Sequence, residues 1–563
     1  MKRLILFLIF ASIAYSCKEN NKEVKVNEAD FIKLADSLEN QMRTLTIPLY
    51  EAYFDASINS NDSMWKQVSD LESKYNSFVS QPEVYKKLKV FKDANIVSDP
   101  IQKRRLDVIY NEFLSKQADI KLLDEISKLT SEIEGKYSKF RAEYNNKKYS
   151  DNDVEDILKK SHNQDELKGV WEAHKQIGPL VKDDIIKIVK KRNELAKKLG
   201  FSNYHEMSLK LSFQDPKEIE SIFDELDKLT KDEFAKIKNE IDSKLATMNK
   251  IKIEDLKPWH YQNRYFQEAP HIWDVDFDKY YKGKDIVKLA ENYYKSLNLP
   301  IDRMVANSDL FEKPNKNQHA YCTNIDRTTK DIRVLCNIKD NSSWMETMLH
   351  EFGHALYEDH YEENLPWALK VPAHIFTTEA IAMMFGRFAL KPEWIQANLG
   401  ISDAEKTKIS DVAFKMLKTQ QLVFSRWAQV MYRFEKSMYA DPDQDLNKLW
   451  WDLVEKYQLV KKPEGRNMPD WATKIHIATS PCYYHNYLLG ELLASQLYHY
   501  ITTNVIDANS ANLNSFYNEP KVGEYLKKNV FGPGAKYEWN DMIEKATGEK
   551  LTPKHYANQF IHN

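Results

Sequence analysis

Apolar side chains recur every three or four residues along most of the chain, and lysine and glutamate fill the positions between them. A repeat of about 3.6 residues is the pattern of amphipathic α-helices. It covers residues 28–250 almost without interruption, resumes near 342 and runs nearly to the end of the chain. No internal repeat and no low-complexity linker interrupts it. The pattern therefore predicts one mostly helical unit rather than several independent domains.

One segment follows a different period. Between 319 and 339 the sequence HAYCTNIDRTTKDIRVLCNI alternates and is rich in β-branched residues, with a turn near Asp326–Thr329. Alternation on both sides of a turn predicts a β-hairpin. A second irregular stretch, 252–285, is rich in aromatic residues and contains two prolines, so we expect loops there.

The composition narrows the class of protein. Of the 563 residues, 42% are hydrophobic and 29% are charged, which is typical of soluble globular proteins. Only 14 glycines are present, which disfavours a glycine-rich α/β or all-β fold. The formal net charge of -3 gives no basic excess, so nucleic acid is not an expected partner.

The first residues have the pattern of an export signal. A basic start is followed by an apolar run over 4–14 that is too short to span a bilayer. A small-x-small sequence precedes Cys17, as in bacterial lipoprotein signals. We therefore predict a signal peptide over 1–16, lipidation of Cys17 and a flexible polar tether over 17–30. The protein would lie in the periplasm or at the cell surface of a bacterium, anchored to the lipid bilayer.

An exported protein can keep a disulfide, and the cysteine positions allow one. Cys322 and Cys336 stand on either side of the predicted turn, close enough in sequence to pair. Two unpaired buried thiols are the alternative. We expect Cys482 to be buried and free.

The strongest chemical motif is the pentapeptide HEFGH, residues 350–354. On a helix His350 and His354 lie four residues apart on one face, so both imidazoles can bind one metal ion. Glu351 is adjacent and can reach a water molecule on that metal, where it would act as general base. Such a site polarises a carbonyl group and activates water, the chemistry of zinc peptidases. Gly353, inside the helix, indicates close packing against a neighbouring element.

A third ligand decides the class of zinc site. His360 lies six residues after His354, the spacing of the metzincin pattern, which also needs a glycine three residues after the second histidine. Tyr357 occupies that position, so a continuing helix would carry His360 away from the metal. We therefore expect His360 to be structural or exposed.

The alternative third ligand is a carboxylate from a second helix. Glu358, Glu362 and Glu363 lie in a polar segment, where solvated charges are expected. Glu379 lies in HIFTTEAIAMMFGRF, which is apolar nearly all round, and an unpaired carboxylate there would be costly to bury. A carboxylate in the first turn of that helix is the competing interpretation. We predict that His350, His354 and Glu379 bind one Zn²⁺, with His374 as a less favoured substitute.

Two further segments complete a resemblance. QHAYC, residues 318–322, precedes the metal motif, and TKIHIATSPCYYHNYLLGELLASQL follows it from Thr473. In order and spacing these segments resemble the peptidyl-dipeptidase A family, that of angiotensin-converting enzyme. The resemblance implies a mostly α, two-lobed helical zincin fold around a deep substrate channel, with the small hairpin near the zinc site. It also implies release of C-terminal dipeptides from short unfolded peptides.

The same resemblance assigns roles by position. The residues concerned are Tyr487 and His476 at the oxyanion, Lys474, Tyr484 and Gln262 at the C-terminal carboxylate of the substrate, and His319, Ala320 and Cys322 along its backbone. An extra residue after His476 leaves Tyr483 as an alternative to Tyr484. Asn486 stands where the family has a chloride-binding arginine, so chloride activation is not expected. Met383 replaces an aspartate, so support for a zinc-binding histidine must come from elsewhere.

HEFGHAL is also similar to the thimet oligopeptidase and oligopeptidase F group, which implies oligoendopeptidase action as the alternative. A peptide-binding lipoprotein without activity is the non-enzymatic alternative. For all three functions, we expect residues 31–563 to form one unit, with a helical lid over 31–250 and the zinc-site lobe over 251–563.

Overall fold

The structure is a computed structural model that describes residues 26–273 and 275–561. The predicted signal peptide, 1–16, and the lipidation site, Cys17, lie outside the described residues, as does most of the predicted tether. The first helix begins at Glu28, within the segment predicted as tether, and Asn27 caps it by accepting from the backbone N–H of Asp30.

The described residues form 23 α-helices and four short strands, numbered here in chain order. The helices are α1 Glu28–Ile58, α2 Asp62–Val79, α3 Pro82–Ala94, α4 Pro100–Leu114, α5 Ile120–Lys139, α6 Asp151–Lys160, α7 Gln164–Lys175, α8 Ile177–Lys198, α9 Tyr204–Leu211, α10 Pro216–Asn249, α11 Asp278–Tyr281, α12 Ile286–Ser296, α13 Asp302–Asn307, α14 Ser342–Asp359, α15 Ile375–Gly386, α16 Pro392–Leu399, α17 Asp403–Ala440, α18 Leu446–Gln458, α19 His476–Thr479, α20 His485–Tyr500, α21 Pro520–Leu526, α22 Trp539–Thr547 and α23 Lys554–Ile561. The strands are β1 Ala142–Tyr144, β2 Lys147–Tyr149, β3 Tyr321–Asp326 and β4 Asp331–Leu335. Helices account for 68% of the structure, which confirms the mostly α prediction with a short sheet.

One hairpin lies where the helical pattern was expected to continue. After α5 ends at Lys139, β1 and β2 pair antiparallel with Ala142 opposite Tyr149. Asn145 and Asn146 form the turn between them, with φ of 50° and 60°. Asparagine tolerates these left-handed angles, which a two-residue hairpin turn of this kind requires. The Asn-Asn pair was therefore the signal for this turn in the sequence.

The hairpin predicted between 319 and 339 is present as β3 and β4, with a bulge between Asn324 and Asp326. Cys322 lies opposite Val334, so Cys336 is its diagonal neighbour rather than its direct partner. Diagonal positions in an antiparallel pair are about 7–8 Å apart, beyond the usual reach of a disulfide. Both cysteines are free thiols, and the disulfide between Cys322 and Cys336 that the sequence allowed does not form. Cys482 is also free and buried, as expected.

Two larger hydrophobic cores hold the helices together. One is formed by α1–α4 and reaches Ala368 in the segment before α15. The other is continuous from Leu129 in α5 to Phe560 in α23 and contains the buried faces of α14, α15 and α20. The helices of the predicted lid, 31–250, thus take part in both cores, and its boundary stays a prediction. In the described part of the chain no helix is both long and apolar enough to cross a membrane.

Candidate metal centre and substrate cavity

Two helices in close contact carry the predicted metal ligands. Helix α14 begins after Asn341, whose side chain accepts from the backbone N–H of Trp344. Gly353 on α14 faces α15, and a Cβ at this position would lie 2.9 Å from the Cα of Ala382. Only glycine therefore allows the two backbones to approach so closely. This confirms the close packing that Gly353 predicted.

The predicted ligands converge between these helices. His350 Nε2 and His354 Nε2 lie 3.7 and 3.8 Å from Glu379 Oε2. One donor atom from each of the three residues falls within 4.8 Å of the others. Two ligands at about 2.0–2.1 Å from Zn²⁺ in tetrahedral geometry are about 3.4 Å apart, so the three donors fit around one such ion. Glu379 is the fifth residue of α15, beyond the first turn in which it would merely stabilise the helix end.

A threonine contacts one of the two predicted histidine ligands and supplies the support that the sequence left open. His354 Nδ1 lies 2.8 Å from Thr378 Oγ1. When Nδ1 carries the proton and donates to this hydroxyl, the Nε2 lone pair points to the shared donor position. Thr378 precedes Glu379, so one turn of α15 provides both a ligand and the orientation of a second ligand. Its role was missed because a threonine in an apolar helix has no distinctive sequence signal.

The electrostatics of the donor set suit a cation. Burial lowers the pKa of His350 to about 4 and holds that of His354 well below its usual value, so both imidazoles are neutral. Burial and then the negative charge of Glu491 raise the pKa of Glu379 to about 7. Neutral imidazoles beside a carboxylate without a counter-charge are the donors that Zn²⁺ binds.

Glu351 lies beside this triad and against the hairpin. Its side chain is 7% exposed, and burial followed by the charge of Glu379 raises its pKa to about 8. A backbone hydrogen bond from Cys322 opposes this shift in part. A buried carboxyl group whose pKa lies near neutrality can both take and return a proton.

A cavity of about 1180 Å³ opens beside the triad. Among the predicted residues His350, Lys474, His476, Tyr484 and Tyr487 line it. Burial and then the charge of Glu379 raise the pKa of Tyr487, so its hydroxyl stays protonated and can donate. The rings of Tyr484 and Tyr487 are 5.3 Å apart at the N-terminal end of α20.

Tyr484, rather than its alternative Tyr483, neighbours the predicted lysine. Trp427 Nε1 donates to the Tyr484 hydroxyl at 2.8 Å, and the Lys474 ammonium lies 5.4 Å from the Tyr484 ring. Cys482 takes up the extra residue of this segment with φ of 56°, and its backbone N–H donates to Glu435. The left-handed turn thereby brings Tyr484 back to the cavity wall.

The lysine meets a different glutamine from the predicted one. Lys474 Nζ donates to Gln267 Oε1 at 2.6 Å, and Gln267 lines the cavity. Gln262 is buried, and its Oε1 accepts from the backbone N–H of His271 at 2.7 Å. Burial lowers the pKa of Lys474 to about 8, with Arg264 adding to the shift and Glu268 and Glu155 opposing it. Gln267 lies in the same aromatic loop as Gln262, and no residue pattern in that loop distinguishes the two glutamines.

His476 also lines this end of the cavity. Burial and the charge of Lys474 lower its pKa to about 4, so the imidazole is neutral. Its Nδ1 is buried and has no hydrogen-bond partner in the described part of the chain. Its ring lies 5.4 Å from that of Tyr484.

The three predicted residues of QHAYC do not lie on the wall of this cavity. His319, Ala320 and Cys322 are not among the described residues that line it. Cys322 lies in β3, and His319 and Ala320 directly precede this strand. Strand β3 packs against α14 and pairs only with β4 among the described strands. One edge of β3 is therefore unpaired, and an extended peptide can add to such an edge.

The other two histidines near the motif have local structural contacts. His360 follows α14, and its Nδ1 contacts the carbonyl oxygen of Leu356 at 2.8 Å, which agrees with the expected structural role. His374 caps α15, where its Nδ1 accepts from the backbone N–H of Phe376. Neither belongs to the group of side chains in the described residues that could hold a metal ion.

Comparison with known proteins gives one match. The model of the M2 peptidase family, described as angiotensin-converting enzyme, matches residues 25–557. This range includes the predicted metal ligands, the hairpin of β3 and β4, and every residue of the cavity wall named above. No curated protein matches the chain.

Proposed function

Because the chain belongs to the angiotensin-converting enzyme family, whose peptidases are zinc-dependent, we propose that it hydrolyses short unfolded peptides and releases their C-terminal dipeptides. The observation that carries this proposal is a single cavity that borders the predicted metal triad at His350 and has the buried Lys474 on its wall. The first suits hydrolysis of an amide bond, and the second suits the C-terminal carboxylate of a peptide.

His350, His354 and Glu379 would hold the metal, because their donor atoms already converge and their protonation suits a cation. When bound, Zn²⁺ would supply a Lewis acid and lower the pKa of a water molecule. Thr378 would keep the His354 ring in the required orientation.

Glu351 would move the proton. With its pKa near neutrality, its carboxylate takes a proton from the attacking water and returns it to the leaving amine. Tyr487 would donate its hydroxyl hydrogen to the oxygen on which negative charge develops, and His476 would support it from the same wall. The hydroxyl of Tyr487 is suited to this role because its raised pKa keeps the hydrogen in place.

Lys474 would fix the distance from the peptide end to the cleaved bond. Its ammonium group lies among the rings of Tyr265, Trp427 and Tyr484, and its hydrogen bond to Gln267 gives the group a defined position. A C-terminal carboxylate that accepts hydrogen bonds from Lys474 and Gln267 would place the second peptide bond from the end toward the metal triad. That arrangement accounts for dipeptide release rather than random internal cleavage.

The test uses one oligopeptide and its C-terminally amidated twin, with products identified by mass. We expect the free acid to lose successive dipeptides and the amide to be cleaved at least about tenfold more slowly, since an ion pair is lost. Equal cleavage of both would contradict dipeptide release and favour oligoendopeptidase action. Binding without cleavage of either, in protein loaded with zinc, would favour the peptide-binding lipoprotein.

A further inference from the structure

One carboxylate on the cavity wall has no role in the proposed reaction. Glu346 is one turn before His350 on α14, so the two side chains lie on the same face of the helix. It lines the cavity and is exposed to it. It has no ion pair or hydrogen bond with any other side chain in the described ranges.

A second carboxylate faces the cavity from another helix. Glu491 lies one turn after Tyr487 on α20 and also lines the cavity. Arg387, directly after α15, forms an ion pair with it, and Gln421 Nε2 donates to Glu491 Oε1 at 3.1 Å. The side chains of Arg387 and Glu491 are only 9% and 12% exposed, so this pair is a fixed part of the wall.

The cations of this wall are already engaged elsewhere. Arg387 pairs with Glu491, Lys391 donates to the Tyr498 hydroxyl at 2.8 Å, and Lys474 donates to Gln267. Of the wall's other carboxylates, Glu268 lies 3.9 Å from Lys159 and Glu393 is in the first turn of α16. Glu346, one turn before the first histidine, therefore forms no ion pair with any of these cations of the wall.

The surroundings of Glu346 show the same imbalance. Although its side chain meets the water of the cavity, the enclosing protein raises the pKa of its carboxyl group to about 7. The charge of Glu491 contributes to this raised pKa, and Arg387 opposes it. A cation close to Glu346 would stabilise the ionised form.

We infer that this wall selects peptides with a lysine or arginine side chain within two residues of the cleaved bond. The inference rests on the proposed function, since it assigns a preference to the same cavity. Glu346 is about 6 Å along the helix axis from His350, a distance that the long side chain of lysine or arginine spans. The cationic end would pair with Glu346, while its methylene groups contact apolar residues of the wall such as Met383 and Leu417.

The experiment compares matched peptides that carry lysine, norleucine or glutamate at one position. The position is moved over the last residue before the cleaved bond and the two residues after it. In the wild-type enzyme we expect kcat/KM to be at least about tenfold higher for lysine than for norleucine at one of these positions, and lowest for glutamate. The lysine preference should weaken as ionic strength rises, because salt screens the pair.

Glu346→Gln keeps the shape of the side chain and removes its charge. We expect the ratio of kcat/KM for lysine over norleucine to fall close to one in this variant. Glu363→Gln removes the same charge from an exposed position outside the cavity and should leave the ratio as in the wild type. Using a ratio within each enzyme separates selectivity from any change in overall rate or folding.

Two results would overturn the inference. One is a wild-type enzyme that does not prefer lysine at any of the three positions, while norleucine peptides are cleaved to dipeptides. The other is a lysine preference that persists in Glu346→Gln. Failure of the proposed function is distinct from both, because the neutral peptides would then yield no dipeptides either.

Discussion

Glu351 lies beside the metal triad, where it accepts a hydrogen bond from the backbone of Cys322. It is buried, carries a raised pKa and is not one of the three convergent donors. At the scale of single residues it is therefore the group whose removal should separate catalysis from metal binding.

In Glu351→Gln we expect kcat to fall by about 10²- to 10⁴-fold, the usual contribution of a general base. Zinc content should stay near one ion per chain, because His350, His354 and Glu379 are unchanged. Peptide hydrolysis and elemental analysis of the same sample provide the measurements. A variant that keeps more than a tenth of the wild-type rate would exclude Glu351 as the base.

Substitution of Thr378 tests whether its hydroxyl group orients the His354 ring for metal binding. Thr378→Val keeps the β-branched shape but removes the hydroxyl that contacts His354 Nδ1. We expect the affinity for Zn²⁺ to fall by about 10- to 100-fold, as is typical when such a contact is lost. Competition with a chelator measures the affinity.

Thr378→Ser is the matched control, since it restores the hydroxyl group and should bind Zn²⁺ close to the wild-type level. An unchanged affinity in Thr378→Val would show that the packing of α14 against α15 alone positions the imidazole.

At the scale of elements, the metal centre depends on the crossing of α14, α15 and α20. Gly353 brings α14 against α15, and a Cβ at Gly490 of α20 would lie 3.2 Å from the Cβ of Glu379. Helix α15 thus packs against α14 and against α20 at positions where those two helices carry a glycine. The ligands converge because these backbones approach closely.

Gly353→Ala should therefore harm both stability and the metal centre. The added Cβ would meet the backbone of Ala382, which cannot move without shifting α15. We expect a loss of about 1–3 kcal/mol in the free energy of unfolding, together with weaker zinc binding. Denaturant unfolding without metal, followed by zinc titration, measures the two effects.

Gly135→Ala provides the control for helix propensity. Gly135 lies inside α5, and no atom lies within 4 Å of the position its Cβ would take. Alanine there should stabilise the protein by about 0.5–1 kcal/mol. If both variants were stabilised, close packing at Gly353 would not be a requirement of the fold.

At the scale of the whole molecule, one ion pair joins the N-terminal helix α1 to the hairpin of β3 and β4. Arg43 on α1 donates to Asp326 at the end of β3 through two hydrogen bonds of 2.9 and 2.6 Å. It connects the core of α1–α4 with the strand that packs against the metal-binding helix. Burial by itself would raise the pKa of Asp326, but hydrogen bonds from Arg43, Thr328 and Thr329 outweigh it and hold the pKa at about 2.

This depressed pKa sets the sign of a pH effect. Because the folded protein holds the carboxylate ionised below its unfolded pKa of 3.8, the contribution is complete above that pH and is lost toward pH 2. Asp326→Asn should cost about 1–2 kcal/mol at pH 7, reduced from the full shift because Arg43 is partly exposed to solvent. The difference from the wild type should shrink between pH 4 and pH 2.

Urea unfolding of both proteins across this pH range measures the effect. Asp331→Asn removes a more local pair with Arg333 on the same hairpin and should cost less than about 0.5 kcal/mol. A difference between Asp326→Asn and the wild type that does not change with pH would show that the charge of Asp326 contributes nothing.

The sequence by itself determined the parts of this protein that depend on one element. His350 and His354 share a face because both lie on one helix, and the helical period fixes their relation without the rest of the chain. Glu379 was predicted because a carboxylate in an apolar helix is costly to bury alone. The hairpin of β3 and β4 was predicted from its alternating pattern. His360 was not predicted as a metal ligand because the turn glycine that would bring it back to the metal is missing.

Only the tertiary structure decided the contacts between distant segments. Lys474 meets Gln267 rather than Gln262 across 207 residues of sequence, and Tyr484 rather than Tyr483 reaches the same wall. Thr378 and Glu346 gain their surroundings from helices that pack beside them, and the thiols of Cys322 and Cys336 stay apart because of strand register. Periodicity specifies which face of an element is buried. It does not specify which side chain of a neighbouring loop or helix lies opposite, because that depends on how all the elements pack together.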